Sequence, residues 1–180
     1  MHEDIDHILV TPEQIADRVH EMAAQIEEDL GDIATEITLV PVLTGSIFFL
    51  ADLARCLTHK IRIGVVTVNS YPGKSLSSQG AVIDGILPDN IEGRHVLIVD
   101  DILDSGGTLR LLRESIARQS PASIAGCVLL RKSIPSAIET PCEYIGFDIP
   151  NEFVVGYGLD YDDYYRNLPY IGTLRRDIFS

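Results

Sequence analysis

The chain has 180 residues, 46% of them hydrophobic and 23% charged, enough apolar content for a buried core and too much for a disordered segment. Fourteen basic against 27 acidic residues leave a formal charge of -13, which argues against binding a nucleic-acid backbone through a basic face, so no nucleic-acid partner is expected. The three cysteines, Cys56, Cys127 and Cys142, lack C-x-x-C spacing and indicate neither a disulfide framework nor a zinc site.

The opening "MHEDIDHILV" lacks the basic-then-apolar order of a signal peptide, and no apolar run approaches membrane-spanning length. A soluble cytoplasmic protein without a membrane partner is the expectation. Thr11, Pro12 and Gln14 then make a helix start of the capping-box type, with proline at the first helical position. Ile15, Val19, Met22, Ile26 and Leu30 recur at helical spacing, and Gly31 ends the element.

"ITLVPVL" (Ile37 to Leu43) is a short run rich in β-branched residues and predicts a strand. Thr44, Gly45 and Ser46 form a tight loop, and "IFFLADLARCL" returns to helical spacing. "IRIGVVTVNS" predicts a second strand, "HVLIVDD" a third, "TLRLLRESIAR" a helix and "SIAGCVLL" a fourth strand, in which Cys127 reads as a small core residue. Between the second and third strands, "SYPGKSLSSQG" (Ser70 to Gly80) is polar, has no periodic apolar face and reads as a long mobile loop. The C-terminal stretch "EYIGFDIPNEFVVGYGLDYDDYYRNLPYIG" is dense in aromatics, Gly and Asp and reads as strands and turns forming a cap. Alternating strands and helices, with strands that are apolar almost throughout, predict an α/β fold with a mostly parallel sheet covered on both faces. Ligands in such sheets bind at the carboxyl ends of the strands.

One stretch at such an end, "HVLIVDDILDSGGTLR" (His95 to Arg110), carries the functional signal. Its strand delivers Asp100, Asp101 and Asp104 and runs into Ser105, Gly106, Gly107 and Thr108, small residues of the kind that open a helix at an anion site. Helix capping by Asp104 or Ser105 is the plain alternative. It leaves unexplained an Asp-Asp pair at the end of a buried strand, where uncompensated carboxylates are costly. A ribose phosphate resolves the conflict, with hydroxyls for the acids and a phosphate for the backbone amides. Competing motifs fail. "GKS" at Gly73 to Ser75 has Val68 where a P-loop needs its first glycine, and no G-x-G-x-x-G follows any strand. A response-regulator receiver places its paired acids after the first strand. His2, His7, His20, His59 and His95 show no metal-ligand spacing.

"VLIVDDILDSGGT" resembles the phosphoribosyl pyrophosphate (PRPP) motif of type I phosphoribosyltransferases. "VLTGSIFFLADL", "VNSY", "LLRKSIP" and "GFDIPNEFVVGYGLDYDDYYRNLPYIG" resemble, in the same order, segments of the hypoxanthine-guanine phosphoribosyltransferases. The resemblance implies the type I phosphoribosyltransferase fold in a single domain over residues 1–180, with a core over about 9–140. A hood would be formed by about 141–180 with the N-terminal residues. It implies purine salvage, that is, Mg2+-dependent transfer of ribosyl phosphate from PRPP to N9 of hypoxanthine and/or guanine.

By the same resemblance Asp100 and Asp101 would meet the ribose hydroxyls, partly through Mg2+, and Asp104 to Thr108 would wrap the 5-phosphate. Asp104 would be the acid or base at purine N7, and Lys132 would donate to the 6-oxo group. Phe153 would stack on the purine, Val154 would read its edge through the backbone, and Asp160 would lie by the base and hold a second Mg2+. Leu43, Thr44, Gly45 and Ser46 would give amides to pyrophosphate beside Arg166, with a cis bond between Leu43 and Thr44. Ser70 and Tyr71 match the family's lid, and a homodimer or homotetramer is implied. Thr44 stands where many relatives have Lys or Arg, and Gly107 where many have a larger residue. A nucleotide-sensing regulator that shares the PRPP motif, or transfer to xanthine or uracil, is the alternative. The base-recognition segments of such regulators differ from "LLRKSIP" and "EFVVGYGLDY".

Overall fold

The structure, a computed structural model, describes residues 2–31, 36–69, 82–84 and 89–179. In chain order its elements are β1 (Ile5–Val10), α1 (Pro12–Leu30), β2 (Glu36–Leu43), α2 (Ile47–Cys56), β3 (Lys60–Ile63), β4 (Val66–Asn69), β5 (Val82–Asp84), β6 (His95–Leu103), α3 (Gly107–Ala117), β7 (Ser123–Lys132), α4 (Pro135–Ile138), β8 (Tyr144–Ile149), β9 (Val154–Val155), β10 (Ile171–Leu174) and α5 (Arg176–Phe179). Among the described residues the larger sheet has seven strands in the order β5-β4-β2-β6-β7-β8, with β3 also paired to β2. Every pairing in it is parallel except that of β4 with β5.

Successive side chains of a strand face opposite ways, and both faces of this sheet are covered. Leu97 and Val99 of β6 pack with α1 and α2 residues such as Ile15, Met22, Phe49 and Leu53, while Val96 and Ile98 pack with Leu109, Leu112 and Ile116 of α3. Burying one such side chain contributes about 1.5–3 kcal/mol. This two-sided burial is why β2, β6 and β7 are apolar without alternation. Helix α1 begins as its sequence predicts: Thr11 Oγ1 accepts from the Gln14 amide at 3.3 Å, and Gln14 Oε1 accepts from the Thr11 amide at 2.9 Å.

The run "IRIGVVTVNS" does not form one strand but two, β3 and β4. Glu36 to Leu39 of β2 pair with β3, and Val42 and Leu43 pair with β4. Pro41, which has no N–H to donate, falls in the gap between the two ladders. The C-terminal stretch is also divided. β8 continues the larger sheet as the neighbour of β7, whereas β9 and β10 join β1 in a three-stranded antiparallel sheet of order β1-β10-β9. Ile5, Val155, Tyr170 and Leu174 form the core of that small sheet. Ser70 and Tyr71, with the rest of the Ser70 to Gly80 loop, lie outside the described residues. Among the described residues no helix is long and apolar enough to cross a membrane.

Glu27, near the end of α1, holds the connection between α2 and β3. It accepts from the Thr58 amide at 2.6 Å and from the Thr58 hydroxyl, and it pairs with the His59 ring at 2.9 Å. These bonds, the Thr58 hydroxyl foremost, bring its carboxyl down to about 2 against the opposing effect of burial. A pKa lowered by folding contributes stability that is present above the unfolded value and lost as pH falls towards 2. Glu27→Gln is therefore expected to cost about 1–2 kcal/mol at about pH 7 and progressively less below about pH 4. Thermal denaturation across that range checks it, and a cost independent of pH would show that the charge is irrelevant.

Candidate active site

The parallel strands end together. Pro41 of β2 is in register with Val99, Leu103 of β6 with Arg131, and Lys132 of β7 with Ile149 of β8. Their carboxyl ends therefore bring Leu43, Asp100, Asp101 and Lys132 to one edge of the sheet. A cavity of about 390 Å³ opens there, lined by residues 42–45 and 100–109 with Asp160 and Arg166.

Asp100 is only 8% exposed. Its Oδ1 accepts from the Asp101 amide at 3.0 Å, and Asp101 Oδ1 accepts from the Ile102 amide at 2.7 Å. Burial, and then the neighbouring Asp101 charge, push Asp100 well above the usual carboxylate range. Burial raises Asp101 as well, against hydrogen bonds to its carboxylate and the attraction of Arg166. The loop after β2 is pressed onto this pair. A Cβ on Gly45 would stand 1.8 Å from Asp101 Oδ2, and one on Gly158, where φ is +106°, would stand 1.9 Å from the Gly45 carbonyl oxygen. Glycine is required at Gly158 by its φ and a backbone contact, while at Gly45 a side chain would have to displace the Asp101 carboxylate.

Asp104 and Ser105 do not cap the helix that follows. The N-cap of α3 is Gly106, left-handed at φ 81° and ψ 0°, and no side chain caps it. The first amides of a helix have no partner within it and carry the positive end of its dipole. Here they open beside a cavity lined by Ser105, Gly106, Gly107 and Thr108. Plain capping by Asp104 or Ser105 is thereby set aside, and the helix start stays open towards the cavity.

Lys132 Nζ lies 3.3 Å from Asp104 Oδ1, with the lysine side chain 14% exposed and the aspartate 57%. The acid of the turn and the lysine at the end of β7, 28 positions on in sequence, thus form one ion pair. Arg166 reaches the cavity from the C-terminal segment, with Nη2 2.9 Å from Asp160 Oδ1 and Nη1 donating to the Gly158 carbonyl at 2.7 Å. Asp160 Oδ2 also accepts from the Asp163 amide at 3.0 Å.

Of the other predicted residues, Leu43 and Thr44 line the cavity, while Ser46, Phe153 and Val154 do not. The Leu43–Thr44 peptide is cis, as expected. Ser46 turns away, donating its hydroxyl to the Val42 carbonyl at 2.7 Å, and its amide also faces that oxygen. Phe153 is 45% exposed, with its ring edge-on to Tyr161 at a centroid distance of 5.6 Å. It borders a separate groove of about 600 Å³ with Glu152, Thr173 and Arg175. Val154 is buried in β9 opposite Thr173.

Residues 8–162 match the family model described as the phosphoribosyl transferase domain. The chain belongs to the phosphoribosyltransferase family. Among its relatives, a hypoxanthine-guanine phosphoribosyltransferase of Mycobacterium tuberculosis is 46% identical over 186 residues, covering 98% of this chain and 90% of that protein. The crystal structure of a hypoxanthine phosphoribosyltransferase from Staphylococcus aureus aligns with a TM-score of 0.91 at 37% identity, over 100% of this chain and 97% of the other. A Trypanosoma cruzi hypoxanthine phosphoribosyl transferase aligns with a TM-score of 0.92 at 37% identity, over 99% and 96%. The type I phosphoribosyltransferase fold expected from the sequence is the fold found.

Two residues that lie behind the wall of this cavity without lining it escaped the sequence reading. Gly158 was legible only as one glycine of "GYG", although the positive φ of Gly156, Tyr157 and Gly158 marks a sharp turn there. Arg110, beyond the motif, donates to the Ser105 carbonyl at 2.9 Å and looks in sequence like any helix arginine.

Asp100→Asn should raise stability by about 1–2 kcal/mol at about pH 8, since an amide keeps the acceptor for the Asp101 amide and removes a desolvated charge. The sign follows from a pKa raised by folding: the penalty on the wild type grows as pH rises above the unfolded value. The gain should therefore vanish at about pH 4, where the buried acid is already protonated. Denaturant melts at both pH values check it, and destabilisation at pH 8 would overturn it.

Proposed function

We propose that the protein is a purine-salvage enzyme that transfers the 5-phosphoribosyl group of PRPP to N9 of hypoxanthine and/or guanine, releasing pyrophosphate. The observation that carries this reading is the sharing of one cavity by the Asp100–Asp101 pair and the uncapped start of α3. No simple anion and no simple cation satisfies both, whereas a ribose phosphate presents hydroxyls to the acids and a dianion to the amides. The names of the relatives, hypoxanthine-guanine and hypoxanthine phosphoribosyltransferases, agree with it.

In this reading Ser105 to Thr108 hold the 5-phosphate through backbone amides and hydroxyls, and Asp100 and Asp101 accept from the ribose hydroxyls. Thr44, Gly45 and the forked guanidinium of Arg166 face the pyrophosphate. Phe153 stacks on the purine, while the Val154 backbone and Asp160 lie at its edge. The bond from ribose C1 to pyrophosphate breaks with its electron pair leaving on oxygen, the bond to N9 forms, and the base proton at N7 passes to Asp104. Lys132 beside Asp104 donates to the 6-oxo group, which adenine lacks.

The donor set fits magnesium. Among the described residues no group of three or more His, Cys, Asp or Glu could hold a metal unaided. Mg2+ is characteristically bound by one or two carboxylates together with substrate phosphates and waters, and Asp100 and Asp101, with Asp160 paired to Arg166 in the same cavity, would supply such carboxylates. When bound, magnesium supplies charge neutralisation for the pyrophosphate oxygens.

We further propose one domain with the small sheet as its hood. Its support is that Val154, Tyr157, Leu159 and Ile171 join the same core as α1 and α2. A cytoplasmic homodimer or homotetramer completes the proposal. The solved Trypanosoma cruzi relative was studied for the role of its C-terminal region in oligomeric state and enzymatic activity.

The test is a spectrophotometric assay with PRPP and magnesium, offering hypoxanthine, guanine, xanthine and adenine separately. Nucleotide should form with hypoxanthine or guanine and not with adenine, and Lys132→Gln should erode that preference by roughly tenfold or more. Turnover with adenine alone would overturn the reading. Asp104→Asn should lower kcat by about 10²-fold or more with little change in the affinity for PRPP. Equal losses in both would leave Asp104 only a positioning role.

A further inference from the structure

The turn that faces the 5-phosphate has a support behind it. Thr140, 2% exposed, follows α4 and lies under the turn, so close that a Cβ on Gly106 would stand 2.0 Å from its Oγ1. Its hydroxyl donates to the Ser136 carbonyl at 2.7 Å and accepts from Arg110 Nη1 at 2.7 Å. Arg110 Nη2 then donates to the Ser105 carbonyl at 2.9 Å. An exposed arginine in a chain of charge -13 has carboxylates in abundance, yet these bonds of its guanidinium go to a hydroxyl and a carbonyl.

We propose that Arg110 and Thr140 are a positioning pair that aims the amide of Gly106 into the cavity and so sets the affinity for the 5-phosphate. The proposal rests on the phosphoribosyl reading of the site. Ser105 C=O and Gly106 N–H belong to one peptide unit, which is planar and trans, so the two bonds point in opposite directions. Arg110 grips the carbonyl from outside the cavity, which it does not line, and Gly106 lines the cavity. The amide is thereby turned inward before any ligand arrives, and a charge-assisted bond to the carbonyl polarises the same peptide and makes its N–H a better donor. Gly106 itself is left-handed and free of a Cβ, so its own backbone preference does not hold this orientation. The hydroxyl of Thr140 keeps the guanidinium from swinging into solvent.

The experiment compares wild type, Arg110→Met, Thr140→Val, Thr140→Ser and the Arg110→Met/Thr140→Val double variant. Calorimetry with ribose 5-phosphate gives affinity without turnover, and steady-state kinetics give KM and kcat. Arg110→Met and Thr140→Val should each weaken ribose 5-phosphate and raise KM for PRPP by about tenfold, with kcat within about threefold of wild type. KM for hypoxanthine should stay unchanged. Thr140→Ser, which keeps the hydroxyl, should match wild type, and the double variant should be no worse than either single one, as for partners in one chain of bonds.

Unchanged ribose 5-phosphate affinity in a folded Arg110→Met protein would overturn the proposal. So would a Thr140→Ser loss equal to that of Thr140→Val, or a fall in kcat and both KM terms that tracks melting temperature. Arg110 lies on the surface, so that variant carries the test if Thr140→Val fails to fold. A wild type that binds ribose 5-phosphate but turns over no PRPP would end the enzymatic reading while the binding data still judge the pair. A wild type that binds no ribose 5-phosphate would end the proposal itself.

Discussion

Two carboxylates set side by side in the buried end of β6 are the constraint around which the site is arranged. Asp100 and Asp101 are successive residues at the strand end, yet both line the one cavity and their carboxyl groups interact directly with each other. Each accepts a backbone amide, Asp100 that of Asp101 and Asp101 that of Ile102, and neither forms a direct ion pair in its described contacts. Burial therefore acts on both in the same direction. A folded chain carries such a cost where a ligand can relieve it. Around Asp101 the other segments close to backbone contact: Gly45 lies against its carboxylate, Gly158 lies over Gly45, and Arg166 holds the carbonyl of Gly158. A side chain at Gly158 would push the C-terminal segment that carries Arg166 off the Gly45 backbone, and one at Gly45 would displace the Asp101 carboxylate.

The acids and the turn that follows them make opposite electrostatic demands within one strand-turn-helix unit. With Gly106 as its N-cap, α3 starts without a side-chain cap at a cost of only a few tenths of a kcal/mol, on the order of 0.3, relative to a capped start. Asp104 and Ser105 stand two and one positions before the N-cap, and Asp104 turns instead to Lys132. Uncapped amides, a left-handed glycine and a cavity wall coincide at Gly106. That coincidence separates this turn from an ordinary helix start, and it depends on backbone conformation more than on residue type.

The same distinction explains what was legible in the sequence. The strand and helix positions of the sheet were, because two-sided burial writes itself as continuous apolar runs and the capping box of Thr11 and Gln14 is local. Asp100, Asp101 and Asp104 to Thr108 were legible for the same reason, since one unbroken motif carries them. The break between β3 and β4 was not, since "IRIGVVTVNS" is uniformly strand-like and its interruption is set by β2, where the ladder changes partner around Pro41. The placement of β8 in the larger sheet was hidden as well. "YIGFDI" alternates no differently from the strands of the small sheet, and only its pairing with β7 decides its place. Resemblance named Lys132 and Arg166, yet their partners, Asp104 and Asp160, emerge only from contacts across the fold.

Charge inside the cavity completes the account. Among its described lining residues Asp100, Asp101, Asp104 and Asp160 stand against one guanidinium, that of Arg166, and Arg166 is already paired with Asp160. Thr44, in the loop after β2 that lines the cavity, adds no charge. The positive end of α3 offers only about half an elementary charge, and at one end of the cavity. A substrate with a phosphate and a pyrophosphate is a polyanion, and bare it would meet net repulsion over most of the surface it must occupy. Neutral hydroxyls between the two anionic groups suit the acids; the pyrophosphate does not, unless a hard cation comes with it and takes carboxylate oxygens as ligands. On the proposed reading, the acid pair that is costly in the free protein would then be the feature that rewards binding of the sugar and a cation together.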